Sequence, residues 1–142
     1  MEYARNNVGD GGFIARFSDG TVTSAAWTAL PFYIAPLDDT RCVDVAGGRD
    51  ASRCADRPVC ADNDPYATCK ALHFRVPENW AQPAFDDSSW PLATEYRASD
   101  VTTQPAYVDY ARLFEPARFI WSRSLKLDNL VLARYTVHAP PK

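Results

Sequence analysis

The heptapeptide FDDSSWP, residues Phe85–Pro91, places two adjacent acids and two serines between two large aromatic residues. Adjacent side chains of an extended chain point to opposite sides, whereas a glycosidase needs two carboxyl groups that face one bond. Asp and Ser side chains instead accept hydrogen bonds from the backbone N–H groups that follow them, and so stabilise turns. We therefore predict a structural turn, anchored in the core by its aromatic ends and formed by Phe85, Asp86, Asp87, Ser88 and Trp90.

The segments on both sides of this turn predict short strands. In GGFIARFSDGTVTSAAW, residues 11–27, Phe13, Ala15 and Phe17 alternate with Ile14 and Arg16, and Asp19-Gly20 follows. This pattern is typical of a β-hairpin with a tight turn. LHFRVP (72–77), ARFIWS (117–122) and NLVLARYTV (129–137) also have strand character. We expect Pro105 to interrupt any helical turn in SDVTTQPAYVDYARLF. This pattern predicts an all-β fold, an antiparallel β-sandwich or jelly roll. Most aromatic residues are expected in its core: Phe13, Phe17, Trp27, Phe85, Trp90, Phe119 and Trp121.

Residues 31–71 show no sustained period and contain all four cysteines. The cysteines lack C-x-x-C pairs and have no histidine among them, which disfavours zinc, although zinc and free thiols stay open as alternatives. We predict two disulfides, with three possible pairings, that pin a long irregular insertion. Disulfides indicate an oxidising compartment, so we expect an extracellular or secreted protein. The four residues are Cys42, Cys54, Cys60 and Cys69.

The bulk composition limits the classes of partner. The chain of 142 residues has the size of one domain, which we place at 1–137, followed by a Pro-rich tail or linker at 138–142. Its net charge is -3 and it has no Lys/Arg cluster, so we expect no nucleic-acid partner. No apolar run is long enough for a membrane span. MEYARNNVGDGG lacks the hydrophobic region of a signal peptide, and we expect the chain to be part of a longer secreted protein.

The order of these motifs resembles the galactose-binding-domain-like β-sandwich, including the accessory modules of glycoside hydrolases such as rhamnosidases. The resemblance is carried by the Gly-Gly strand, the Asp-Gly hairpin, Thr23 and Trp27, and then by W-x(4)-F-D-D-S-x-W-x-x-A from Trp80 to Ala93. By the order of its motifs, the resemblance extends over about two thirds of the chain. It implies a non-catalytic module that binds sugars and often carries a structural calcium. The cysteine-bearing insertion departs from this pattern.

Aromatic and polar residues of the irregular segments are the candidates for ligand binding. Aromatic rings stack on the C–H faces of sugars, while Asp, Asn or Arg side chains bind the hydroxyl groups. For each loop tyrosine, packing against the sandwich is an equally good interpretation. The candidates are Tyr33, Tyr66, Trp80, Tyr107, Asp109 and Tyr110.

Two oxygen-rich stretches are candidates for a calcium site, because Ca²⁺ prefers carboxylate and carbonyl ligands. They contain Asp38 and Asp39, and Asp62 and Asp64. Solvated loop acids are the competing interpretation. No residues are predicted to be catalytic, since G-x-S-x-G, H-E-x-x-H and a Gly-rich phosphate loop are all missing from the sequence.

The sequence thus favours a non-catalytic, extracellular module that binds a glycan or matrix polymer within a larger secreted protein. The alternative hypothesis is a structural subunit of an extracellular filament or sheath. Such a subunit would bind copies of itself or neighbouring chains by strand or surface complementation.

Overall fold

The computed structural model describes residues 11–56, 69–101 and 105–137. In these ranges the chain forms an antiparallel three-stranded sheet, an antiparallel two-stranded sheet and one short α-helix. A 3-10 turn covers Thr40–Cys42. The elements in chain order are β1 (Thr28–Leu37), β2 (Lys70–His73), β3 (Thr94–Tyr96), α1 (Pro105–Phe114), β4 (Phe119–Trp121) and β5 (Asp128–Arg134).

The central strand of the larger sheet is β1, which pairs with β2 on one side and with β5 on the other. Its sequence TALPFYIAPL is almost entirely apolar and almost entirely buried, as expected for a strand covered on both faces. This strand corrects the expectation of an irregular segment from residue 31 onward. Prolines normally argue against a central strand. Here the register shifts between Pro31 and Tyr33 and between Ile34 and Leu37, and such irregularities accommodate proline.

The smaller sheet pairs β3 with β4, and β4 also forms a bridge to Phe13. A bridge between Thr28 and Leu92 joins the chain before β3 to the start of β1. A hydrophobic cluster then connects the two sheets, with Trp27, Ala29, Ala93 and Ile120 buried in it. The all-β antiparallel class is therefore confirmed. The described sheets are small, however, and do not establish a complete sandwich or jelly roll.

Two predicted strands near the C-terminal end, ARFIWS and NLVLARYTV, are present as β4 and β5, and LHFRVP overlaps β2. The predicted hairpin is reduced to one bridge, between Arg16 and Val22, around a tight turn. In that turn Gly20 has φ +88°, and Asp19 accepts a hydrogen bond from the backbone N–H of Thr21. Glycine suits this left-handed conformation because it lacks a Cβ.

The helix α1 corrects the expectation that Pro105 interrupts helical structure. The helix begins at Pro105. Proline is well tolerated at the first helical position, because the first N–H groups of a helix have no partner within it and proline already has a helical φ. Pro105 is therefore the start of a helix and does not break one.

A disulfide between Cys42 and Cys54 closes a loop with a sequence separation of 12. The loop base is buried with β1: Val43, Ala51 and Cys54 share a hydrophobic cluster with Ile34 and Leu37. This confirms one predicted disulfide. Cys69 is disulfide-bonded as well, and Cys60 lies outside the described residues.

We predict that removing this disulfide by the double substitution Cys42→Ser and Cys54→Ser lowers the free energy of unfolding by about 3 kcal/mol, the loop-entropy cost for a loop of this length. Urea denaturation followed by circular dichroism measures the change. Arg53→Ala, an exposed residue of the same loop, is the matched control and should leave the midpoint unchanged. Equal midpoints for the double variant and the native protein would contradict the prediction.

Candidate functional site

The adjacent acids of FDDSSWP bond to different partners. One Asp86 oxygen accepts a hydrogen bond from the backbone N–H of Ser88 at 2.9 Å. The Ser88 side chain, and then this backbone bond, lower the pKa of Asp86. Asp87 instead accepts from the hydroxyl of Thr28 at 2.7 Å, and its carboxylate lies 3.5 Å from Nε of Arg134. The two carboxylates therefore do not face one substrate bond. Their geometry is that of a structural turn tied to β1 and β5.

Aromatic rings fix both ends of this turn. Phe85 and Trp90 pack edge to face with their centroids 5.5 Å apart, and Trp90 contacts Phe32 of β1 at 5.7 Å. The guanidinium of Arg134 lies 5.1 Å from the centroid of the Phe85 ring and donates to the backbone carbonyl of Trp80. Arg134 thus holds the segment before the turn against β5, since a guanidinium can donate several hydrogen bonds at once.

A candidate ligand site lies elsewhere, next to β3, β4 and α1. It is an open cavity of about 470 Å³, a volume within the usual range of small-molecule sites. We call it the β3–α1 cavity. Its lining residues are Ile14, Glu95, Tyr96, Arg97, Ala98, Asp100, Tyr107, Ala117, Arg118 and Phe119.

Aromatic rings contribute to the apolar part of the β3–α1 cavity. Tyr107 of α1 packs edge to face on Phe119 of β4, with centroids 4.9 Å apart, and it also contacts Phe114 at 5.8 Å. The position of the Tyr107 ring is thus fixed by two neighbouring rings. A ring held in this way offers contact area to a ligand at little cost in conformational entropy.

Charged groups form the polar part of the cavity. The Arg97 guanidinium donates to both carboxylate oxygens of Asp100, at 2.9 and 3.2 Å, and these bonds are the main cause that lowers the pKa of Asp100. Glu95 accepts from the backbone N–H of Ala25 at 2.8 Å. Arg118 adds a second guanidinium. A guanidinium can donate two parallel hydrogen bonds to a ligand, and a carboxylate can accept two.

Tyr96 connects the cavity wall to the protein interior. Its hydroxyl donates to the backbone carbonyl of Ser122 at 2.7 Å. Burial, and then the charge of Asp128, raise the pKa of Tyr96 to about 12. The hydroxyl therefore stays protonated at neutral pH and acts as a donor in this position.

Of the ligand-binding candidates, only Tyr107 lines the β3–α1 cavity. Asp109 and Tyr110 lie on the same helix and are exposed, Tyr110 by 58%. Tyr33 belongs to β1 and stacks on His73 with centroids 4.5 Å apart. Trp80 is half-buried in the segment held by Arg134. The structure therefore does not bring these residues together into one site, and Tyr66 lies outside the described residues.

The two calcium candidates among the described residues have different surroundings. Asp38 is exposed, while Asp39 caps the 3-10 turn and accepts from the Arg41 side chain, which lowers the pKa of Asp39 to about 2. Within residues 11–56, 69–101 and 105–137, no group of three or more His, Cys, Asp or Glu residues is arranged to hold a metal ion. Asp62 and Asp64 lie outside these ranges, and calcium binding by them stays a prediction.

A second aromatic surface corrects the expected core. The rings of Phe17 and Tyr135 both stack on Trp27. They lie nearly parallel to its ring, with centroid distances of 6.1 and 5.5 Å. Phe13 meets Trp27 edge on. Only Trp27 is buried, whereas Phe13, Phe17 and Tyr135 are exposed by 37%, 45% and 46%. We call these four residues the aromatic platform.

Sequence reasoning missed the charged residues of the β3–α1 cavity. Arg97 and Asp100 are three residues apart, a spacing at which opposite charges meet in a turn, and this was the one local signal. Glu95 and Arg118 give no such signal, because they are far apart in sequence. Only the pairing of β3 with β4, which places Glu95 opposite Ile120, brings both residues to the same cavity.

No helix in the described part of the chain is long and apolar enough to cross a membrane.

Comparison with known proteins found no matching family model, no matching curated protein and no matching solved structure. The resemblance to galactose-binding-like domains consequently stays a prediction, and the function must be argued from the geometry of the chain itself.

We predict that Asp87→Ala lowers the free energy of unfolding by about 1–3 kcal/mol, because it removes the acceptor of the Thr28 hydroxyl at a partly buried position. Asp86→Ala is the matched control. Its partner N–H belongs to the exposed Ser88 and can bond to water instead, so the loss should be smaller. Urea denaturation of both variants is the measurement, and equal losses would refute the assigned difference between the two acids.

Proposed function

We propose that this chain is a non-catalytic module that binds a carbohydrate or matrix polymer in the β3–α1 cavity. The observation that carries the proposal is the combination of a ring held in place, Tyr107, with the paired Arg97 and Asp100 side chains in one open cavity. Carbohydrate sites need both elements, because a sugar presents apolar C–H faces together with closely spaced hydroxyl groups.

In this arrangement the Arg97–Asp100 pair binds adjacent hydroxyl groups. The carboxylate of Asp100 accepts from one hydroxyl, and an N–H of Arg97 donates to its neighbour. Their mutual bonds keep both groups oriented before a ligand enters, which reduces the entropy lost on binding. The aromatic side of the cavity then covers part of the sugar ring.

The setting that we propose is extracellular, within a larger secreted protein. The Cys42–Cys54 disulfide is compatible with an oxidising compartment. The scaffold that we propose is a galactose-binding-like sandwich, which is supported by two antiparallel sheets joined through the cluster around Trp27. The FDDSSWP turn supports the same scaffold, because it ties the start of β1 to the end of β5.

A glycan array followed by calorimetry on the best ligand tests this function. We expect Tyr107→Ala to weaken binding at least about tenfold, which corresponds to about 1.4 kcal/mol, the size of a typical ring contact. Asp100→Asn should weaken binding similarly, because it keeps the shape and removes a charge-assisted acceptor. Tyr110→Ala is the control, since Tyr110 lies on the same helix but outside the cavity.

The proposal fails if the intact fold binds no glycan on the array. It also fails if Tyr110→Ala weakens binding as much as Tyr107→Ala does. If Tyr107→Ala disturbs the fold, Asp100→Asn alone decides the question, because Asp100 makes its contacts at the surface with Arg97.

A second candidate function is a structural subunit of an extracellular assembly, and the aromatic platform is the observation that favours it. Phe13, Phe17 and Tyr135 are exposed and each packs on the ring of Trp27. Exposed apolar groups of this kind mark interaction surfaces more often than isolated exposed residues do. In this hypothesis the platform packs against neighbouring chains.

Analytical ultracentrifugation over a range of concentrations tests the assembly. Self-association through the platform predicts that the double substitution Phe17→Ser and Tyr135→Ser shifts the protein to monomer. Tyr110→Ser, which removes an exposed ring away from the platform, should leave the association unchanged. A native protein that stays monomeric at every concentration excludes this function.

A further inference from the structure

Asp128, the first residue of β5, is a buried carboxyl group with one oxygen that lacks a partner. The residue is 2% exposed. Its Oδ2 accepts from the Ser122 hydroxyl at 2.6 Å and from the backbone N–H of Ser124 at 3.2 Å. Its Oδ1 is equally buried and has no hydrogen-bond partner among the described residues. An ionised carboxylate is unfavourable there, because half of its charge has no compensating donor.

The disulfide loop forms one wall of the space next to Asp128. A small cavity of about 10 Å³ is lined by Asp128 and Ser122 and, from the loop, by Gly48, Arg49 and Asp50. This is about the space of one water molecule. The tip of the loop therefore forms part of the barrier between Asp128 and bulk solvent.

The base and the tip of this loop are held in different ways. The base is fixed by the Cys42–Cys54 disulfide and by burial of Val43 and Ala51. The tip, residues 45–50, is held by non-covalent contacts, of which two are backbone hydrogen bonds between Asp44 and Asp50. The tip can thus separate from the protein while the base stays in place.

Arg49 provides further contacts of the tip. Its guanidinium lies between the rings of Phe32 and Phe74, at 4.4 and 4.0 Å from their centroids, and donates to the carbonyl of Pro31 at 2.8 Å. Arg49 also has φ +58°, a left-handed conformation that costs energy for a residue with a Cβ. The closed tip therefore combines favourable ring contacts with backbone strain. The strain reduces the free-energy difference between the closed and the open state of the tip.

The charged and titratable groups that face Asp128 are Asp50, Arg49, Arg123 and Tyr96. Arg49 is held by rings and a carbonyl, and Arg123 is paired with Asp50 at 2.5 Å. Burial raises the pKa of Asp128 to about 6, and the negative charge of Asp50 acts in the same direction. Hydrogen bonds from Ser122 and Ser124 oppose this shift without overcoming it.

We propose that residues 45–50 are an acid-locked cover over Asp128, closed while Asp128 carries a proton and released when Asp128 ionises. In the closed state burial raises the pKa of Asp128 from 3.8 to about 6, and opening of the cover admits water and moves the pKa back toward 3.8. The closed state therefore binds the proton more tightly. Its extra stability is complete below pH 3.8 and is lost as the pH rises through about 6.

Amide hydrogen exchange followed by NMR tests the cover in the intact oxidised protein. The reporters are the backbone N–H groups of Asp44 and Asp50, which bond to each other's carbonyls at 2.9 and 3.0 Å. After correction for intrinsic exchange, their protection should fall between about pH 5 and about pH 7.5, by about tenfold where opening restores the full ordinary pKa, as the linkage relation gives. The N–H of Ala35, bonded to Leu127, reports opening of the sheet and should not change.

Asp128→Asn supplies the matched variant, because the amide has the same shape and cannot ionise. Its Asp44 and Asp50 amides should keep the same protection at both pH values. The proposal is overturned if native protection does not depend on pH, if Asp128→Asn shows the same fall, or if Ala35 loses protection in parallel. If Asp128→Asn does not fold, the carboxyl carbon of Asp128 is titrated by NMR in the native protein. A midpoint that differs from that of the protection curve then overturns the proposal.

Discussion

Burial of β1 on both faces is the constraint on which the rest of the structure depends. This one strand contributes side chains to all three hydrophobic clusters that the described residues form: Ala29 to the cluster around Trp27, Leu30 and Phe32 to the cluster with Trp90, and Ile34 and Leu37 to the cluster beneath the disulfide loop. Because β1 contributes to each of these clusters, a slip in its register would expose apolar side chains in all of them. The turn, the loop and the second sheet are each positioned against it.

Local chemistry explains the parts of this fold that could be predicted. Apolar, partly β-branched runs predict β4 and β5, Asp19-Gly20 predicts a tight turn, and cysteines in a polar segment indicate a disulfide. β1 escaped prediction because Pro31 and Pro36 stand inside an apolar run, and the neighbouring strands that accommodate them are distant in sequence. Phe13 and Phe17 were expected in the core, since alternation gives the face of a strand but not whether another layer covers that face.

The candidate site depends even more on contacts between distant segments. Tyr107, the one cavity residue selected from sequence as a ligand-binding candidate, meets Phe119 only because α1 packs beside β4. The charged residues of the cavity come from β3, the turn after it and the chain before β4. Asp128 likewise has no distinctive sequence context. Its pKa is raised because it is buried. The loop beside it lies about eighty residues earlier in the chain, so only the tertiary structure brings the two together.

The disulfide holds the Cα atoms of Cys42 and Cys54 5.1 Å apart, so the two ends of the loop enter and leave the core at a fixed place whatever lies between them. Lengthening a loop costs free energy only logarithmically in the number of residues, and here the anchor points are covalently set. Relatives of this protein could therefore differ in loop length or composition while keeping the same sheets. The exposed part of the loop, residues 44–47, is accordingly a place in the fold where such changes cost little stability.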